Sequence, residues 1–182
     1  MEQPLLKSPR LLLRPFTFGD AKRVQGLAGD KRIADMTAAL PHPYLDGMAE
    51  EWIGGHVAAW SERTSLSYAI ILRETQTLIG AISFVAIRQS EAEFGYWIGV
   101  PYWGCGYCTE AAAALIDFGF NTLGLTKQFA RHLPENVASA RVIVKNGLHY
   151  IGDVTVTLSG HNRVLKHYEL SAGEYFAKHP RK

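Results

Sequence analysis

Runs of β-branched and aromatic residues at 67–72, 78–87 and 93–100 read as strands, because such side chains suit a pleated, half-buried surface. The polar stretch Arg73-Glu74-Thr75-Gln76-Thr77 joins the first two into a hairpin, so the three predict an antiparallel meander. The pattern then changes period. Alanines at 111 to 114 with Leu115, Ile116, Gly119 and Leu123 recur at helical spacing and predict a buried helix. Lys127 to His132 is the next strand. Reached through a helical crossover and lying beside 93–100, it must run parallel to it, so the sheet is mixed.

The flanks are read the same way. Arg10 to Pro15 is a first strand stopped by Pro15, Asp20 caps a helix over 21–28, and turn-rich Leu40 to Asp46 precedes a helix over 47–61. Pro134-Glu135-Asn136 starts a helix that ends at Gly147. Strands at 149–158 and 163–170 follow, and Ser171 with Glu174 forms a capping box for a short terminal helix. The expected class is α+β, an α/β sandwich-like arrangement with one mixed, mostly antiparallel sheet of about seven strands flanked by helices. One domain is expected over 1–182.

Composition narrows the function. With 19 Lys+Arg against 17 Asp+Glu, the formal net charge of +2 offers no electrostatic footprint for nucleic acid. The longest apolar run, Leu78 to Ile87, falls short of the roughly 20 residues that cross a bilayer, and the start lacks a signal-peptide pattern. The expectation is a cytoplasmic protein with no membrane partner.

The informative chemistry lies in Pro101-Tyr102-Trp103-Gly104-Cys105-Gly106-Tyr107-Cys108-Thr109-Glu110-Ala111, a glycine loop between a strand and a buried helix. The first amides of a helix lack intrahelical acceptors and carry the positive end of its dipole, so such a loop is an anion site. A nucleoside-triphosphate loop needs Gly-Lys-Ser/Thr, but Tyr107 and Cys108 follow Gly106. A dinucleotide fingerprint needs a third glycine, where Thr109 stands, and then an acidic residue about 20 positions on.

The stretch Trp-Gly-Cys-Gly-Tyr-Cys-Thr-Glu-Ala resembles instead the pyrophosphate loop of the GNAT acetyltransferase superfamily, in its ribosomal-protein-alanine N-acetyltransferase branch, where Trp replaces a leading Gln/Arg. The Arg-Leu-x-Leu-Arg-Pro opening at 10–15, Asp20-Ala21, the Asn-x-x-Ser of Asn136 and Ser139, and Lys145-Asn146-Gly147-Leu148 resemble the same branch. Cys108 and Leu148 depart from its usual Gly/Ala and Phe. The resemblance implies acetyl-CoA as co-substrate and an amine acceptor, either a peptide N-terminus or a small amine. It implies that the central parallel strands splay to form the acetyl-CoA cleft. The loop amides of Trp103, Gly104, Cys105, Gly106, Tyr107, Cys108 and Thr109 would hold the pyrophosphate. Ile98, Gly99 and Val100 would pair with pantetheine and supply an oxyanion donor, and Asn136 would contact the cofactor arm.

Transfer to an amine also needs a base and a proton donor. Glu93 shares a strand face with Gly95, Trp97 and Gly99 and is the candidate base; the alternative is a solvated strand-end carboxylate. Ser139 is the candidate for protonating the thiolate or ordering a water, since Ile143 occupies the offset at which some relatives carry a tyrosine. Tyr44, Trp52, Tyr68, Phe84 and Trp97 are acceptor-site or core aromatics. Two further readings stay open: a non-catalytic acyl-CoA sensor, and a thiol oxidoreductase built on Cys105 and Cys108. The seven histidines show no metal-ligand spacing, so no metal is expected. A homodimer is left open.

Overall fold

The computed structural model describes residues 2–37, 40–158 and 161–180; of Leu158 only the backbone is described. Among these residues eight strands form one sheet in the order β1-β2-β3-β4-β5-β6-β8-β7. They are β1 (Leu6–Lys7), β2 (Leu11–Arg14), β3 (Leu66–Leu72), β4 (Thr77–Arg88), β5 (Glu91–Ile98), β6 (Lys127–His132), β7 (His149–Leu158) and β8 (His161–Ser171). Every neighbouring pair is antiparallel except β5 and β6. The mixed, mostly antiparallel sheet flanked by helices that the sequence predicts is the one observed, with one strand more than the expected seven among the described residues. The extra strand, β1, consists of two residues paired to β2, too short to leave a sequence pattern.

Among the described residues seven α-helices flank the sheet: α1 (Ala21–Ala28), α2 (Lys31–Met36), α3 (Met48–Gly54), α4 (His56–Ser61), α5 (Tyr107–Asn121), α6 (Val137–Lys145) and α7 (Ala172–Lys178). Because successive strand side chains point to opposite faces, the sheet carries two cores. Leu66, Tyr68 and Ile70 of β3 with Phe84, Phe94 and Ile98 pack on Ala111, Ala112, Leu115 and Ile116 of α5. On the other face Ala69, Ile71, Ala81 and Trp97 pack on Val24, Leu27, Ala49 and Ile53 of α1 and α3. Helix α5 lies close because Gly119 faces Gln128 and Phe84; a Cβ there would come within 2.4 Å of Gln128 Nε2. Gln128 donates to the Ile116 carbonyl at 2.9 Å.

Three local expectations are corrected. The helix over 47–61 is two helices, because Gly54 and Gly55 interrupt it. The six-residue α2 was not read from the sequence; the Asp30 side chain caps it by accepting from Arg32 N at 2.9 Å. Asp20 precedes α1 but its side chain does not cap that helix. It turns back to take both terminal nitrogens of Arg14 at 2.7 Å and the Thr17 amide at 2.8 Å.

Burial alone would raise the Asp20 pKa, but the Arg14 and Thr17 hydrogen bonds outweigh it and hold the carboxyl below its ordinary 3.8. A depressed carboxyl stabilises the fold above its unfolded pKa and loses that contribution as pH falls through the folded value. Asp20→Asn is therefore expected to cost about 2 kcal/mol at pH 7, with the difference shrinking below 3.8, in urea titrations at each pH.

Candidate active site

The parallel strands at the centre of the sheet part company. β5 and β6 pair only at Glu91 with Lys127, Ala92 with Gln128 and Glu93 with Phe129, while β5 runs on to Ile98 and β6 to His132. Which backbone groups this exposes follows from the register with β4. Gly99 N–H donates to Ile79 O at 2.8 Å, so Ile98 opposite Gly80 is a non-hydrogen-bonded pair. Ile98, Tyr96 and Phe94 therefore turn their backbone groups away from β4, into the opening. The Ile98 carbonyl accepts the Trp103 indole N–H at 2.7 Å.

The glycine loop closes one end of this opening. A 3-10 turn over Val100–Tyr102 leads into Gly104 and Gly106, at φ of +75° and +79°, a region that side-chain-bearing residues avoid. The Trp103 amide is already bonded to Val100 O at 3.1 Å. Beyond it, the amides of Gly104, Cys105, Gly106, Tyr107, Cys108 and Thr109 have no backbone acceptor among the described residues; the next bonded amide is that of Glu110, to Gly106 O at 3.1 Å. No other atom lies within 4 Å of a Cβ placed on Gly104, so the loop is open on that side. The donor cluster begins one residue later than the sequence suggested.

The loop is pinned from the N-terminal strand region. Arg10 donates Nη1 to Cys105 O at 3.0 Å and pairs its Nε with Glu110 Oε2 at 2.7 Å; its guanidinium lies 4.6 Å from the centre of the Tyr107 ring. Ser8 Oγ donates to Glu110 Oε1 at 2.7 Å. Burial would raise the Glu110 pKa, but the bonds from Ser8 and Arg10 hold it down, so Glu110 stays anionic and the clamp stays shut. Both cysteines are free thiols. Cys105 is exposed, whereas burial pushes Cys108 up to about 12, the opposite of the thiolate stabilisation a redox pair needs.

A cavity of about 980 Å³ runs through the opening and across the face covered by the α1 to α4 side. Glu93, Asn136 and Ser139 all line it. Burial raises the Glu93 pKa, an effect moderated by the charges of Arg131 and His167; Arg131 Nη1 lies 3.7 Å from Glu93 Oε2. Asn136 Oδ1 accepts the Ser139 amide at 3.0 Å as a helix cap, and its Nδ2 donates to Met36 O at 2.7 Å.

The sequence reading missed Tyr96. Its hydroxyl lies 2.8 Å from Ser139 Oγ and donates to Ser139 O at 3.2 Å, and burial keeps the phenol protonated. The only signal was its alternation with Trp97 on β5, which puts one aromatic on each face. Tyr44, Trp52 and Trp97 line the cavity, whereas Tyr68 and Phe84 are fully buried in the opposite core. Their neighbours Ser67 and Ser83 face the cavity instead. Among the described residues no group of His, Cys, Asp and Glu has the makings of a metal site, and no helix is long and apolar enough to cross a membrane.

The parted parallel strand pair thus ends at a glycine-bounded cluster of free amides. Residues 10–149 match the acetyltransferase (GNAT) domain family, and the chain belongs to it. It is accordingly an acyltransferase, an acetyl-CoA-dependent N-acetyltransferase in general terms.

An uncharacterised N-acetyltransferase of Bacillus subtilis, YoaA, is 30% identical over 146 residues, covering 79% of this chain and 82% of its own. A GNAT-family acetyltransferase from Bacillus anthracis superposes with a TM-score of 0.83 at 24% identity, covering 94% of this chain and all of that one (100%). A ribosomal L7/L12 alpha-N-protein acetyltransferase, solved in complex with coenzyme A, superposes with a TM-score of 0.80 at 19% identity, covering 94% of this chain and 99% of that one.

Proposed function

We propose that the chain moves the acetyl group of acetyl-CoA to a primary amine by direct attack within a ternary complex. The observation that carries this reading is the three-pair contact of β5 and β6, which leaves edge backbone of β5 open beside the donor cluster of residues 104–109. Those amides suit a diphosphate, and the space beside Gly104 accommodates it. The outward-turned groups of Tyr96 and Ile98 suit the amides of pantetheine. Gly99 N–H is committed to Ile79, so the donor to the thioester carbonyl oxygen is assigned to the Ile98 or Val100 amide. Asn136 has a second Nδ2 hydrogen beyond the one bonded to Met36 O, and it is this that would reach the cofactor arm.

Glu93 accepts the proton that the amine loses on attack, through one water, and its raised pKa brings it closer to working pH. As the carbon–sulfur bond breaks, the leaving thiolate takes a proton from Tyr96, whose hydroxyl Ser139 orients. Neither cysteine takes part, since Cys105 faces the diphosphate end and Cys108 is a buried thiol.

Tyr96→Phe tests the assignment of the proton donor. It is expected to lower kcat about 100-fold in a thiol-release assay with an amine, while acetyl-CoA raises the melting temperature as it does for the wild type. Unchanged kcat would transfer that role to Ser139 or water.

A further inference from the structure

The acceptor side of the cavity has a definite chemistry. Its floor is a row of small residues in direct register across three strands, Ser67 opposite Ser83 and Ser83 opposite Gly95. Adjacent strands lie about 4.8 Å apart, so this trench runs about 10 Å from β3 to β5. It ends beside Glu93, two residues from Gly95 on the same strand face. Ser67, Ser83 and Gly95 are paired to one another across the row, and the open strand backbone lies on the β6 side of β5 rather than on the floor between these strands.

Above the floor stand Trp52 and His56. Their rings meet edge to face at 4.5 Å, and both contact Phe16, at 5.0 and 5.5 Å. Both His56 nitrogens are shut off from solvent and have no hydrogen-bond partner among the described residues, and burial pushes the imidazole down to about 4. At neutral pH His56 is an uncharged flat wall. The charged lining residues are Glu51, Glu93 and Arg131, which leave one net negative charge and match one ammonium rather than several. At the β3 end, Ser83 Oγ donates to Ser67 Oγ at 2.9 Å, with each serine only 7% exposed. Two hydroxyls sharing one bond leave one hydroxyl proton with no acceptor among the described residues, so it is available to a ligand oxygen in the cavity.

We infer that the acceptor is a primary monoamine on a flat aromatic body, laid over Ser67, Ser83 and Gly95 against Trp52 and His56, with its amine toward Glu93. An oxygen on the far side of the ring meets the spare serine proton. This assignment rests on the acetyl-transfer reading above and deepens it: the amine nitrogen gains the acetyl group and the coenzyme leaves as its thiol.

The test measures thiol release from acetyl-CoA with the intact protein and four amines: tyramine, 2-phenylethylamine, spermidine and an alanine-initiated tetrapeptide amide. Both aryl amines are expected to exceed spermidine and the peptide at least about tenfold in kcat/KM, with tyramine ahead of 2-phenylethylamine. In Ser67→Ala/Ser83→Ala the gap between the two aryl amines closes, because the proton that recognises the phenol is gone. Trp52→Ala raises KM for both while kcat stays within about twofold, the mark of lost binding rather than lost chemistry. A preference for spermidine or the peptide overturns the inference and leaves acetyl transfer standing. Absence of turnover with every amine, despite stabilisation by acetyl-CoA, overturns both.

Discussion

Glu93→Gln is expected to lower kcat by about 10² to 10⁴-fold, the usual range for removing a positioned base, with little change in acetyl-CoA affinity. Glutamine keeps the shape and the contact with Arg131 but cannot take up a proton. The pH dependence gives an independent check. Burial raises the Glu93 pKa above its ordinary 4.5, and Arg131 and His167 pull it part of the way back. The base form is depleted as pH falls through that raised value, so the acid limb of kcat/KM lies above 4.5 in the wild type and is absent from the variant.

Stability should move the other way. A carboxyl whose folded pKa is raised opposes folding once it ionises, so the glutamine variant should be at least as stable as the wild type at pH 8 by urea titration. A variant with wild-type kcat and an unchanged acid limb would mean that Glu93 is only a solvated strand-end carboxylate.

Gly106→Pro is expected to abolish useful acetyl-CoA binding, raising Kd by about 100-fold or more. Proline fixes φ near −65°, against +79° here, and restricts Cys105 before it, so the whole run of amides is re-aimed. Charge-assisted bonds from amides to a phosphate contribute about 1.5 to 3 kcal/mol each, so losing two accounts for the factor. The fold should survive, because Gly106 is the N-cap of α5 and no intrahelical bond uses its amide. An unchanged far-UV spectrum with no cofactor-induced rise in melting temperature is the expected pair of results. Wild-type stabilisation would place the diphosphate elsewhere.

Much of this architecture was legible because its largest elements change period at their ends. The meander, the helix after the glycine loop and the parallel return strand all follow from apolar spacing and from the crossover rule. The unread parts depend on contacts that local spacing does not encode. Arg10 and Glu110 meet across 100 positions to clamp the loop, yet each reads alone as an ordinary surface charge. Tyr96 reads as one more strand aromatic until α6 brings Ser139 against it. Tyr68 and Phe84 were grouped with Trp52 by residue type, when alternation with Ser67 and Ser83 already assigned them to the opposite face. Gly54-Gly55 within an apolar stretch was the available sign that one helix would be two.

The amide cluster after Trp103 underlies every assignment, since it fixes where the thioester arrives and hence which groups surround it. Calorimetric titration of the wild-type protein with acetyl-CoA, and separately with S-acetylpantetheine, which carries the same thioester without the diphosphate and the phosphorylated adenosine beyond it, tests it most directly. The account predicts a clear binding heat with acetyl-CoA and an affinity about 100-fold or more lower for the truncated thioester. Equal affinity for the two would contradict it.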